Sequence, residues 1–204
     1  MAQSSALLLV FLAASAGCHR ERVPTLPPLP GGAKILAFGD SLTFGTGVNP
    51  PDSYPSQLEA IIHHPVVNAG VPGDTTADGL ARLEAALDDD APALVILCLG
   101  GNDMLRQESR ATLRANLAAM IETIRARKLS LVLVGVPEPK ILSLHAEPVY
   151  AELAQQYGLP IENEVLADVL GDRDLKSDQI HANEKGYRLV AEKIAALLKK
   201  AGAV

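Results

Sequence analysis

Leu94-Val95-Ile96-Leu97-Cys98-Leu99-Gly100-Gly101-Asn102-Asp103 is the stretch on which the fold is decided. Six apolar residues in unbroken succession suit an extended strand covered on both faces, whereas a half-exposed strand would alternate with polar residues. Such a strand belongs inside a parallel sheet flanked by helices. The run then breaks at two glycines, where the chain must turn, and places the Asn102 amide, a hydrogen-bond donor, at the strand's carboxyl end.

The same pattern recurs on either side. Short apolar runs at 34–38, 65–68 and 131–136, and a weaker one near 159–161, alternate with longer segments of helical period. Residues 111–128 carry Leu113, Leu117, Met120, Ile121 and Ile124, whose spacing lines one helical face and marks core. Residues 75–87 and 183–200 read as further helices, the last opened by Asn183 as a cap and closed by Lys199 and Lys200, where cations suit the helix dipole. Strand and helix in alternation predict a three-layer α/β/α sandwich with a flavodoxin-like, parallel, five-stranded sheet. In such folds the chemistry collects on loops at the carboxyl ends of the strands.

Composition narrows the function. With 204 residues, 48% of them hydrophobic, the chain can bury one sizeable core, which predicts a single folded domain, residues 33–204. A net charge of −6 argues against nucleic acid as partner, since phosphate-backbone binding needs a basic footprint. Only 3% of residues are aromatic and none is Trp, so stacking platforms for bases or sugar rings are scarce. No zinc-like Cys/His cluster, phosphate loop or dinucleotide fingerprint occurs, and no metal or cofactor is implied.

The first residues read as processing signals. Residues 6–17 form an apolar run of roughly a dozen, enough for a signal-peptide core and short of the ~20 that span a bilayer. Residues 1–17 are thus an export signal by this reading, and Ser15-Ala16-Gly17-Cys18 resembles a bacterial lipoprotein cleavage site with Cys18 as the lipidated residue. Residues 1–5 lack the usual positive charge and Ser15 stands where a larger aliphatic residue is usual; the alternative is a plain secretory signal with an incidental Cys. Residues 18–32, with Pro24, Pro27, Pro28 and Pro30, read as an extended, semi-rigid tether. The expected location is the periplasmic side of a membrane, through the lipid on Cys18. Cys98, inside its apolar run, reads as a buried small hydrophobe.

The polar residues cluster at the predicted strand ends. Gly39-Asp40-Ser41 closes the first strand; a Ser there becomes a nucleophile only with a base and an oxyanion site, and otherwise such a tripeptide merely caps a turn. The second strand is followed by Asn68-Ala69-Gly70-Val71-Pro72-Gly73-Asp74-Thr75, in which a Gly before a helix start either exposes backbone N–H groups to an anion or serves turn geometry alone. Asp178-Gln179-Ile180-His181 puts a carboxylate three residues before an imidazole, so that one turn can bring it to one ring nitrogen and leave the other free. His63, His64 and His145 read as surface or loop histidines. Residues 137–149, with Ile141, Leu142 and Leu144 among prolines, either line an acyl pocket or pack as a loop.

Together with Gly100-Gly101-Asn102-Asp103, these segments supply in chain order a Ser, a Gly, an Asn and an Asp-x-x-His, and so resemble the four blocks of the SGNH (GDSL) hydrolases; residues 68–83 and 94–105 are similar to the bacterial subgroup of acyl-CoA thioesterase I, lysophospholipase L1 and arylesterases. The resemblance implies an esterase or thioesterase acting on small acyl esters, with Ser41 as nucleophile, His181 as general base and Asp178 as its orienting acid. It implies an oxyanion hole from Ser41 N–H, Gly73 N–H and the Asn102 side chain. One departure stands out, Ala182 where the family often has Pro after the His. Two other readings are weighed against this one: a deacetylase of envelope polysaccharide, and a lipoprotein that binds lipid or glycan without turnover.

Overall fold

A computed structural model describes residues 23–138 and 145–204. The segment read as an export signal, Cys18 and the apolar residues Ile141, Leu142 and Leu144 lie outside the described residues. The strands are β1 (Ile35–Gly39), β2 (Val66–Gly70), β3 (Leu94–Cys98), β4 (Ser130–Val134) and β5 (Ile161–Glu162), in the order β2-β1-β3-β4-β5 with every pairing parallel. This is the flavodoxin-like order expected from the sequence. Every residue of β1 and β3 is buried, as unbroken apolar runs require of central strands. The weak run near 159–161 yields only a two-residue strand, placed later, because β5 is an edge strand that pairs with β4 alone. Strand β4 ends at Val134 rather than Val136, once its partners on both sides are used up.

Helices fill two layers. The short α1 (Ser41–Phe44) and then α2 (Tyr54–Ile62) join β1 to β2; α3 (Thr76–Asp90) returns to β3; α4 (Gly101–Leu105) and α5 (Arg110–Ala126) lead to β4; α6 (Pro148–Tyr157) leads to β5; α7 (Val165–Gly171) and α8 (Glu184–Ala201) complete the chain. Helix α3 packs on α5 and α5 on α6, while α2 and α7 pack on α8. These two sets follow from right-handed crossovers that run first one way from β1 and then back across it. The α5 residues Leu113, Leu117, Met120, Ile121 and Ile124 are all buried. Thr75 caps α3 through a reciprocal pair with Asp78, and Asn183 caps α8 by accepting from Gly186 N at 3.1 Å.

The proline-rich stretch, read from sequence as a spacer, is fastened to the domain from Val23 onward. Leu26 N donates to Ala201 O and Leu29 N to Ala203 O, each at 2.8 Å, and Val23, Leu26 and Leu29 pack against the core. The reason lies in the spacing. Apolar residues three apart share one side of an extended chain with a three-residue repeat, and the prolines between them leave Leu26 and Leu29 their N–H groups.

Candidate active site

The sheet register brings the strand-end motifs together. Gly39 stands level with Gly70 of β2 and with Cys98 of β3, so the loops that follow leave the sheet side by side. Asp40 caps α1 by accepting from Leu42 N at 3.0 Å, and Ser41 is the first residue of that helix, half-buried at the carboxyl edge of the sheet. The turn-capping role expected of a bare Gly-Asp-Ser is thus real and falls to Asp40.

Ser41 has a partner 140 residues away. Its Oγ lies 3.0 Å from His181 Nε2, and His181 Nδ1 lies 2.7 Å from Asp178 Oδ2. The other Asp178 oxygen accepts from the backbone N–H groups of Ile180 and His181 at 2.8 and 2.9 Å, so one carboxylate both shapes the turn and orients the ring. Desolvation pushes Asp178 up, but the hydrogen bonds from the His181 ring and from the two N–H groups outweigh it and hold the carboxyl below its ordinary value.

The departure at Ala182 is absorbed by backbone bonds. Ala182 is fully buried and bridges Lys176 across a narrow hairpin, closed by Ser177 N to His181 O at 3.0 Å and Ser177 Oγ to Ala182 O at 3.0 Å. Asn183 ties this hairpin to α8: its N–H donates to Leu175 O and its side-chain amide to Asp174 O, both at 2.9 Å. Tyr187, one turn into α8, donates its hydroxyl to Thr46 O at 3.0 Å, which fixes the helix against the segment behind Ser41.

Gly73 and Asn102 meet through Asp74. Gly73 has φ of 89°, a left-handed conformation that a side chain would strain, although space around it is open. Asn102 Nδ2 donates to Asp74 O at 2.9 Å, which uses one of its two amide hydrogens; the other has no hydrogen-bond partner among the described residues. Asn102, Ser41, Leu42, Leu105, Val136 and Ile180 line one cleft of about 480 Å³. Gly73 is outside that lining and sits beside it.

Three supporting side chains carried no signal in the sequence. Arg82, on α3, binds Asp74 Oδ2 at 2.7 Å and Gly39 O at 2.9 Å, with its guanidinium 4.0 Å over the Phe38 ring. Arg106 donates to Gly73 O at 2.8 Å. Buried Asp103 accepts from Thr76 N at 2.8 Å and from the Thr76 hydroxyl, which pins the first turn of α3.

Burial also shifts Asp40 and Cys98, which adjoin the site. Burial pushes the Asp40 carboxyl up to about 7, against the lowering effects of the Leu42 N–H and of His181. Burial likewise pushes the Cys98 thiol well up, in keeping with a small core residue. The other histidines lie elsewhere: His63 ends α2 in a left-handed conformation, His64 follows it half-buried, and His145 is exposed. Among the described residues no group of His, Cys, Asp and Glu could hold a metal ion.

Comparison with known proteins agrees with this geometry. Residues 37–189 match the model of the GDSL-like Lipase/Acylhydrolase family. Esterase TesA of Pseudomonas aeruginosa is 39% identical over 110 residues, so the match spans about half of each protein, 52% of this chain and 55% of that one. An arylesterase of Vibrio mimicus is 32% identical over 177 residues, 82% of this chain and 88% of the other. A crystal structure of TesA superposes with a TM-score of 0.73 at 31% identity, covering 82% of this chain and 99% of that one. With a family match across most of its length and a fold shared with a solved relative, the chain belongs to the GDSL-like Lipase/Acylhydrolase family, the SGNH hydrolases, and hydrolyses carboxylic esters or thioesters.

Proposed function

We propose that the protein hydrolyses acyl esters or thioesters through an acyl-Ser41 intermediate. The observation that carries this reading is the continuous relay Ser41–His181–Asp178 opening into an apolar cleft. His181 donates Nδ1–H to Asp178, which leaves the Nε2 lone pair facing Ser41. Ser41 Oγ attacks the carbonyl carbon as Nε2 takes its proton. The carbonyl oxygen gains the charge and is held by Ser41 N–H, Gly73 N–H and the free hydrogen of the Asn102 amide. The intermediate then expels the alcohol or thiol, which leaves with the proton from His181. Water repeats the path and releases the acid.

The export signal at residues 1–17 and lipidation at Cys18 belong to the same proposal. The short apolar run ending at Cys18 supports them. So does the docked segment that begins at Val23, which would leave only a few residues between a lipid and the domain surface.

A phosphonate ester is expected to inactivate the enzyme and to add its phosphonyl group to Ser41, read by mass spectrometry of the digested protein. An adduct on a different Ser, or turnover retained by Ser41→Ala, would reject the assignment. Asn102→Ala is expected to lower kcat by roughly 10² to 10³ with KM nearly unchanged, because the amide acts as charge develops on the oxygen. A purely structural Asn would instead lower Tm and spare kcat, so both are measured on one preparation.

Stability should carry the mark of Asp40. An unfolded chain releases this proton near 3.8 and the folded one near 7, so the folded state holds the proton more tightly. The favourable contribution is complete below about pH 4 and lost as pH rises through about 7. Asp40→Asn keeps an acceptor for Leu42 N but no charge. Relative to wild type it should gain little at pH 4 and progressively more up to pH 8, at most about 4 kcal/mol, in urea unfolding across that range. A difference constant with pH would count against a buried carboxylate of this kind.

For the anchor, Cys18→Ser expressed as the full chain should move activity from the membrane to the soluble exported fraction. Wild-type activity already in the soluble fraction would leave a signal peptide alone.

A further inference from the structure

The large apolar side chains that stay exposed among the described residues are Phe44, Val71, Leu105, Ile180 and Val204. All but the terminal Val204 stand within three residues of Ser41, Gly73, Asn102 or His181. They separate into two sets. Leu105 and Ile180 line the cleft, which extends from Ser41 past Asn102 toward Val136 and Pro137, on the β3 and β4 side of β1. Phe44 and Val71 are outside its lining and stand on the β2 side.

The backbone holds these two together. The α carbon of Gly70 lies so close to α1 that a side chain there would meet Phe44 N at 2.1 Å, and Asn68 Nδ2 donates to Phe44 O at 3.2 Å. Val71 follows Gly70 directly, its N–H bonded to Gly39 O at 3.0 Å. Phe44 is 51% exposed although it is only three residues from Ser41. About half of that side chain stays in water, which is costly for a Phe beside a reactive group.

We propose that Phe44 and Val71 form the subsite for the leaving group, and that the preferred substrates are esters whose alcohol part is a flat, apolar or aromatic group, with the acyl chain in the cleft. This rests on Ser41 as nucleophile and deepens that reading. The assignment of sides follows from the two half-reactions. The acyl group stays on Ser41 until water arrives, and the apolar cleft beside Ser41 can hold its chain for that time. The alcohol must depart once its oxygen has taken the proton from His181, and an open ledge lets it go.

The test uses the full exported protein and two ester series. One varies the alcohol at constant butyrate (ethyl, phenyl, 2-naphthyl), with phenol and naphthol similar in acidity; the other varies the acyl chain (acetate, butyrate, octanoate) on phenol. Phe44→Ala should lower kcat/KM in order of alcohol size, by roughly five- to tenfold for 2-naphthyl butyrate. It should leave the chain-length profile and the hydrolysis rate of the shared butyryl-Ser41 intermediate, measured in single turnover, as in wild type. Phe44→Tyr should keep the naphthyl preference, and Leu105→Ala should change the chain-length profile instead. A Phe44→Ala shift in the chain-length profile, a change in the single-turnover rate, or no effect on the alcohol series would overturn the proposal. Turnover by Ser41→Ala would instead overturn the nucleophile on which it rests, and that is decided before either series is run.

Discussion

Everything at this site depends on the level at which three parallel strands stop. Because Gly39, Gly70 and Cys98 share one register position, the segments bearing Ser41, Gly73 and Asn102 emerge at the same height with neighbouring exits. Strand spacing in a sheet is fixed by backbone hydrogen bonds, so the lateral distance between those exits is not adjustable by side chains. A slip of one residue in either pairing would turn every buried side chain of a two-faced strand and move the loop above it along the strand axis. The apolar runs of β1 and β3 therefore do more than supply a core. They set the height of the loops that carry the proposed site.

The cross-links above the sheet refine what the register begins. Arg82 spans from the carbonyl that ends β1 to the carboxylate of Asp74, and Asn102 reaches the carbonyl of the same Asp74. Arg106 holds the neighbouring Gly73 carbonyl. The Gly73 peptide is thus bound on both sides to elements that also position Ser41 and Asn102. The proposed oxyanion site would be effective to the extent that its donors need not reorganise during reaction, and this web of bonds resists such movement.

Much of the fold was legible because β1 and β3 are long, apolar and covered on both faces, and because the α5 stripe repeats with helical period. The edge strand was not, since a two-residue β5 has too little length for any period to show. The site divides in the same way. Asp40, Ser41, Gly73 and Asn102 sit at strand ends and could be placed from their neighbours, and Asp178 and His181 share a single turn. The 3.0 Å approach of His181 to Ser41 has no local signature, because α8, the Asn183 cap and the Tyr187 hydroxyl create it across most of the chain. Arg82 and Arg106 were silent for a related reason: nothing in a surface arginine announces which carbonyl it will meet. The docking of the proline-rich segment was not legible either, because composition reports stiffness and says nothing of what a stiff segment lies against.

That segment also bears on the order in which the molecule is completed. Leu26 and Leu29 bond to Ala201 and Ala203, so each waits for a partner made much later in synthesis. Closing such a contact encloses nearly the whole domain in one loop, which makes it slow and late compared with the neighbouring-strand pairings. A partly synthesised chain therefore presents Val23, Leu26 and Leu29 as an unsatisfied apolar strip beside its own amino-terminal region. The strip is covered only once residues 201–203 are in place beside it.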